Sequence, residues 1–150
     1  MRNTVSLLVF LAITVGGGLA IGYLTAPGEW YAGLNKPFFN PPAFVFAPVW
    51  TALYVLIAIA GWRVWRRAPK SPAMALWAVQ MGLNFLWSPV FFSAHRIDLA
   101  LVVILALLVA IVAFIVAACR TDGKASWLFV PYAAWVAFAT LLNAAIVVLN

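Results

Sequence analysis

Long apolar runs separated by short polar segments dominate this sequence. The run LALVVILALLVAIVAFIVAA, from Leu99 to Ala118, is apolar on every helical face, whereas a transmembrane barrel strand would alternate apolar and polar residues. A spanning helix needs about 20 such residues. Five segments qualify: Val5–Thr25, Phe44–Trp65, Ala73–Ala94, Leu99–Cys119 and Trp127–Leu149. The pattern predicts an all-α integral membrane protein, a five-transmembrane-helix bundle that forms one domain over residues 1–150.

The longest connection, about residues 26–43, has a different composition from the other connections. It contains WYAGLNKPFFNPP, from Trp30 to Pro42, in which aromatic residues alternate with proline, asparagine and one lysine. Each proline fixes its own φ and restricts the residue before it, so this segment is stiff rather than a solvated tether. We expect this first loop to act as a lid over one end of the bundle.

Composition and charge agree with a membrane environment. Hydrophobic residues make up 67% of the chain and charged residues 8%, and the net charge is +6. Seven basic residues fall on the amino-terminal side of the predicted bundle, namely Arg2, Arg63, Arg66, Arg67, Lys70, Arg120 and Lys124; the other side has Lys36 and Arg96. This asymmetry predicts a cytoplasmic N-terminus if the protein lies in a bacterial inner membrane. Basic side chains at helix ends contact lipid headgroups, so we expect no nucleic-acid partner.

Several kinds of chemistry lack the residues they need. The interior of each predicted span is free of charged residues, which argues against an ion pump or a proton transporter. His95 is the only histidine and has no second ligand at metal-binding spacing; no Ser-His-Asp set or phosphate loop is evident. We therefore expect no metal site, no acid–base catalytic residue and no resident cofactor. Cys119, the only cysteine, is expected to be buried and inert.

Neutral polar and aromatic side chains recur at helical spacing inside three of the predicted spans. The second span carries Trp50 and Tyr54; the third carries Trp77, Gln80, Asn84, Trp87, Ser88 and Phe91; the fifth carries Tyr132, Trp135, Phe138, Ala139, Leu142 and Asn143. One interpretation is that these groups only join helices or form interfacial aromatic belts.

Depth in the membrane favours a second interpretation. At about 1.5 Å per residue, Trp135 lies roughly 12 Å from the inner end of its span, too deep for an interfacial belt. The residues in the middle and outer half of the bundle are Trp50, Asn84, Phe91, Trp135 and Ala139. They predict a cavity beneath the lid with aromatic walls and a few neutral polar groups, a composition that suits a flat apolar ligand.

Three segments in this order resemble the TspO/translocator protein family, also called the peripheral-type benzodiazepine receptor family. They are WYAGLNKPFFNPP with the following VFAPVWTALY, LNFLWSPVFF from Leu83 to Phe92, and VPYAAWVAFATLLN from Val130 to Asn143. The resemblance is to a bacterial member. It implies a five-helix bundle, often a homodimer, that binds porphyrins and other hydrophobic ligands in a pocket under the first loop. The pocket residues implied by the resemblance are Tyr31, Pro41, Phe46, Trp50, Tyr54, Asn84, Phe91, Trp135, Phe138, Ala139 and Leu142.

Two positions depart from the family pattern. Animal members carry a carboxy-terminal cholesterol motif with a Tyr and an Arg, whereas the corresponding LLNAAIVVLN has neither. This argues against cholesterol as a partner and leaves membrane lipids, a lipid or another sterol as a ligand, and a porphyrin or haem-type ligand. The second departure is Phe38, at a position where several members of the family carry Trp. A light-dependent porphyrin degradation proposed for the family needs tryptophans near the ligand, and Trp50 and Trp135 are present.

The sequence therefore predicts a membrane receptor or carrier for tetrapyrroles, with a role in tetrapyrrole or stress regulation and with porphyrin as a ligand rather than a cofactor. Two alternatives stay open: a light-dependent porphyrin-degrading enzyme acting through Trp50 and Trp135, and a non-catalytic regulatory membrane scaffold.

Overall fold

Five long helices form the protein, which we describe from a computed structural model covering residues 2–150. They are α1 (Arg2–Leu24), α2 (Ala43–Arg67), α3 (Pro72–Ser93), α4 (Ile97–Cys119) and α5 (Gly123–Leu149), and each is long and apolar enough to cross a membrane. Residues 2–150 contain no β-strand. The prediction of an all-α bundle with five spanning helices is confirmed.

Three of the helices contain local irregularities. A π-helical turn, Ala12–Gly16, interrupts α1, and a second, Pro89–Ser93, ends α3. Helix α5 is divided at Phe129, and the proline that follows lies in the first turn of the segment Val130–Leu149. Proline is tolerated there because the first-turn N–H groups have no partner within the helix. The π-helical turn of α3 places Phe91 on the buried side of the bundle.

Helix α4 lies at the centre of the packing, between α3 and α5, while α1 packs on α2. Its inward face is fully buried at Ile111 and Phe114. Its outward face exposes Val102, Val109 and Val116, which recur every seven residues. A helix face that contacts lipid tails carries side chains of this kind, because valine has no polar group that would need a hydrogen-bond partner in lipid.

A buried carboxylate joins two elements at the end of the bundle that carries most of the basic residues. Asp122, only 4% exposed, accepts a hydrogen bond from the N–H of Ala125 at 3.1 Å and forms ion pairs of 3.1 Å with Arg63 and Arg67. Burial raises the pKa of the Asp122 carboxyl, but the Ala125 N–H and the two guanidinium groups together hold this pKa below its usual value. The turn between α4 and α5 is thereby fixed to the end of α2. Cys119, near this turn, is exposed, so the expectation of a buried thiol is wrong.

The loop between α1 and α2 is attached to the bundle at two places. Its short helix, Glu29–Ala32, stacks Trp30 on His95 with ring centroids 4.2 Å apart and planes 9° from parallel. Further along, the Asn35 N–H donates to Oδ1 of Asn150 at 3.1 Å, and Nδ2 of Asn150 donates to the Asn35 carbonyl at 2.9 Å. These contacts hold the loop against the α3–α4 turn and the end of α5.

Candidate functional site

A cavity of about 670 Å³ lies beneath the first loop, and all five long helices contribute to its wall. Most of the lining side chains are apolar or aromatic. Ten of the eleven pocket residues inferred from the sequence line it: Tyr31, Pro41, Phe46, Trp50, Tyr54, Asn84, Phe91, Trp135, Ala139 and Leu142. Residues that are distant in the sequence and lie on the loop, α2, α3 and α5 therefore meet at one place.

Phe138 is the eleventh residue, and it lies outside the cavity wall. Its ring packs against Phe39 of the loop, with centroids 6.2 Å apart, and against Trp135 at 5.7 Å. The lining residues of α5 follow one stripe through Trp135, Ala139 and Leu142, and Phe138 lies beside that stripe. Phe138 thus packs the loop against α5 and contacts the Trp135 ring without lining the cavity.

Tilted and edge-on ring contacts hold Trp50 and Trp135, two of the three tryptophans that line the cavity. Trp50 lies 5.5 Å from Tyr54 and 6.4 Å from Tyr132 between ring centroids, and Trp135 meets Phe46 edge-on at 5.9 Å. Tilted and edge-to-face contacts of this kind are favourable and restrict ring rotation. The indole faces are thus held in place on the wall before any ligand arrives.

A chain of hydrogen bonds runs from the cavity into the packed interior. The Tyr54 hydroxyl donates to Oδ1 of Asn84 at 3.1 Å, and Nδ2 of Asn84 donates to the Tyr132 hydroxyl at 2.7 Å. The Tyr132 hydroxyl in turn donates to Oε1 of Gln80 at 2.8 Å, and the Gln80 amide donates to the Trp77 carbonyl at 2.8 Å. Gln80 thus joins helices in the interior, as the first interpretation of the polar stripes suggested, whereas Asn84 also lines the cavity.

The indole N–H of Trp135 lacks a partner. Among residues 2–150 it is the only buried side-chain nitrogen or oxygen without a hydrogen bond to the protein. Leaving such a donor unpaired costs about 1–3 kcal/mol. Trp135 lines the cavity, but its indole nitrogen is itself buried, so a ligand acceptor would reach this N–H and remove that cost only after the ring has moved.

Several further residues on the wall did not enter the sequence-based set. Thr25 at the end of α1 and Ser88 of α3 share a hydrogen bond of 2.6 Å, and both line the cavity. The Trp87 indole donates to Oδ1 of Asn143 at 3.0 Å, which joins α3 to α5. The stripes on the third and fifth spans could have identified Trp87, Ser88 and Asn143, whereas nothing in the pattern of α1 singles out Thr25.

The cavity wall carries only neutral groups. Among residues 2–150, no Asp, Glu, Lys, Arg or His lines it. Burial raises the pKa of the Tyr31 hydroxyl at the loop above its usual value, which already lies well above neutral pH, so this group is uncharged. Lys36 is close by: its Nζ lies 4.5 Å from the centre of the Tyr31 ring and donates to the Leu34 carbonyl at 3.2 Å. A charged group on a ligand would therefore meet its nearest cation at the loop rather than inside the bundle.

Comparison with known proteins relates the whole bundle to one family. The chain matches the TspO/MBR family over residues 9–149. It is 42% identical over 136 residues to the "Tryptophan-rich sensory protein" of Cereibacter sphaeroides, which covers 91% of this chain and 85% of that protein. It is 42% identical over 154 residues to the "Tryptophan-rich protein TspO" of Archaeoglobus fulgidus, covering 100% and 97%. It is 37% identical over 134 residues to the human "Translocator protein", covering 84% and 79%. These matches span the loop and the cavity.

Proposed function

The chain belongs to the TspO/MBR family, and we propose that it is a membrane receptor or carrier that binds porphyrins and other hydrophobic ligands in the cavity beneath its first loop. Family membership and five spanning helices make it an integral, multi-pass membrane protein. Relatives named as sensory and translocator proteins support a receptor-type role. The bacterial membrane, the cytoplasmic N-terminus and a homodimeric assembly are part of this proposal.

The observation that carries the proposal is the aromatic wall of a cavity of about 670 Å³, in the range of small-molecule sites. Two tryptophans, Trp50 and Trp135, offer broad apolar faces whose orientation neighbouring rings already restrict. Stacking on an indole ring stabilises a bound flat, conjugated ligand more than a bound flexible chain. A tetrapyrrole macrocycle has this shape.

The distribution of polar groups favours a ligand whose uncharged polar atoms lie inside the bundle and whose charged groups lie at the loop. The side-chain amide of Asn84 offers a polar contact at the base of the wall, and the unpaired Trp135 N–H becomes a second donor if its ring moves toward the ligand. Ionised carboxylates are costly to bury without a partner. We therefore expect the propionates of a porphyrin to lie at the loop, close to Lys36, with the macrocycle inside the bundle.

A titration of the purified protein with protoporphyrin in detergent, monitored by tryptophan fluorescence, tests this proposal. We expect saturable quenching with one porphyrin per chain. The matched control is a double variant, Trp50→Phe with Trp135→Phe, which retains six other tryptophans, of which Trp87 also lines the cavity, and it should lose much of the saturable signal. Quenching that rises linearly without saturation in the unaltered protein would favour a regulatory scaffold whose cavity holds no porphyrin.

A further inference from the structure

A small polar pocket of about 260 Å³ lies at the opposite end of the bundle from the large cavity. It is lined by Arg63, Arg66 and Arg67, near the end of α2, and by Asp122 from the α4–α5 turn. Three guanidinium groups against one carboxylate leave a net charge of +2 in the pocket. Positive charge at helix ends is common in membrane proteins, but isolated residues satisfy that tendency and do not require a shared pocket.

The buried carboxylate orients two of the three arginines. Oδ2 of Asp122 forms ion pairs with Nε of Arg63 and with Nε of Arg67, each at 3.1 Å. Because both pairs use Nε, the terminal guanidinium nitrogens of Arg63 and Arg67 have no hydrogen-bond acceptor within residues 2–150. Their donors are oriented by Asp122 and remain available to an anion.

The third arginine lies on a fixed aromatic surface. The Arg66 guanidinium carbon lies 4.6 Å from the ring centre of Trp62, in cation–π contact. The Trp62 indole N–H donates to the Asn3 carbonyl at 3.1 Å and to the Ser6 hydroxyl at 3.0 Å, which ties this ring to α1. In the part of the chain that the structure describes, Arg66 has no ion-pair partner.

We propose that the pocket formed by Arg63, Arg66 and Arg67 binds a phosphate group, supplied by the headgroup of an anionic phospholipid. The planar fork of guanidinium donors matches the geometry of phosphate oxygens, and the net charge of the pocket is complementary. The location favours a lipid source, because the pocket lies at the end of a spanning helix, near the half-exposed indole of Trp65. Basic pockets at this level in other membrane proteins receive anionic headgroups.

Native mass spectrometry of the purified protein in detergent tests the proposal. Three additions are compared: dioleoylphosphatidylglycerol, dioleoylphosphatidylcholine and inorganic phosphate. We expect phosphatidylglycerol to bind more tightly than phosphatidylcholine. Arg66→Gln should weaken phosphatidylglycerol binding about tenfold, through the loss of one cationic fork. Arg66 is the suitable position, since its replacement leaves the contacts of Asp122 intact.

The matched control is Arg120→Gln, which removes one exposed positive charge near the same end of the bundle but outside the pocket. This variant should bind phosphatidylglycerol as the unaltered protein does. Equal losses in both variants, or equal affinity for the two lipids, would overturn the proposal. Inorganic phosphate that binds with the same dependence on Arg66 would overturn the lipid assignment and indicate a soluble phosphate compound. Porphyrin titration of Arg66→Gln should be unchanged, so failure here is separable from failure of the proposed function.

Discussion

The ring of Tyr54 lies directly against the α-carbon of Gly18, at a point where a β-carbon would overlap the ring. Helix α2 approaches α1 this closely only because residue 18 has no side chain. The same Tyr54 donates its hydroxyl proton to Asn84 on α3 at 3.1 Å. One aromatic side chain therefore sets the positions of three helices at the cavity.

Replacing Gly18 with Ala should displace Tyr54 and weaken its hydrogen bond to Asn84. Overpacking of this kind costs about 1–3 kcal/mol, so we expect a lower Tm in detergent and weaker porphyrin binding. Gly22→Ala is the matched control, because Gly22 also lines the cavity and its added β-carbon would meet no atom within 4 Å. Similar Tm values for the two variants would show that the Gly18 contact is not required.

Truncation of a cavity indole should weaken porphyrin binding. For Trp50→Ala or Trp135→Ala we expect at least a tenfold rise in Kd, which corresponds to about 1.4 kcal/mol, because each indole supplies apolar area and stacking. Trp65→Ala is the control, since Trp65 packs on Phe10 and does not line the cavity. Equal losses from all three variants would indicate impaired folding rather than a binding site.

Ala139 lines the cavity one helical turn after Trp135, so its small side chain leaves room for a ligand. Ala139→Leu should lower porphyrin affinity, since the added atoms occupy cavity space and overpacking costs about 1–3 kcal/mol. Fluorescence titration measures the change. Ala134→Leu makes the same substitution at an exposed position of α5 and should have little effect. Unchanged affinity in folded Ala139→Leu protein would place residue 139 outside the binding site.

Any conversion of bound porphyrin should require light. Because the cavity wall within residues 2–150 offers no carboxylate, histidine or lysine as a general acid or base, we expect binding without turnover in the dark. Under illumination with oxygen, porphyrin absorbance should fall, and the rate should drop when Trp50 or Trp135 is replaced by Phe. Sustained dark turnover without an added cofactor would favour an enzyme over a receptor.

The orientation of the bundle follows from the charge asymmetry, if the protein lies in a bacterial inner membrane. Reporter fusions after Arg67 and after Lys124 should both report a cytoplasmic location, because basic loops are retained inside. A fusion within the first loop, at Asn35, should report the opposite side. An external signal at either Arg67 or Lys124 would contradict the proposed orientation.

Hydropathy alone predicted the five helices, because the length of an apolar run is a local property and lipid requires each spanning segment to satisfy its own backbone. The spacing of polar residues along α3 was equally informative. Gln80 and Asn84 lie on the same face of one helix, and both are buried and hydrogen-bonded in the structure. The resemblance to a known family added the loop residues Tyr31 and Pro41, which periodicity could not have placed on the cavity.

Contacts between helices were decided only by the tertiary structure. The sequence did not predict that Thr25 meets Ser88, that Asp122 pairs with Arg63 and Arg67, or that Phe138 packs against the loop. Periodicity shows which residues share a face of one helix but does not show which neighbour that face meets. That choice depends on the rotation and separation of whole helices, which close contacts such as Gly18 with Tyr54 determine after the chain has packed.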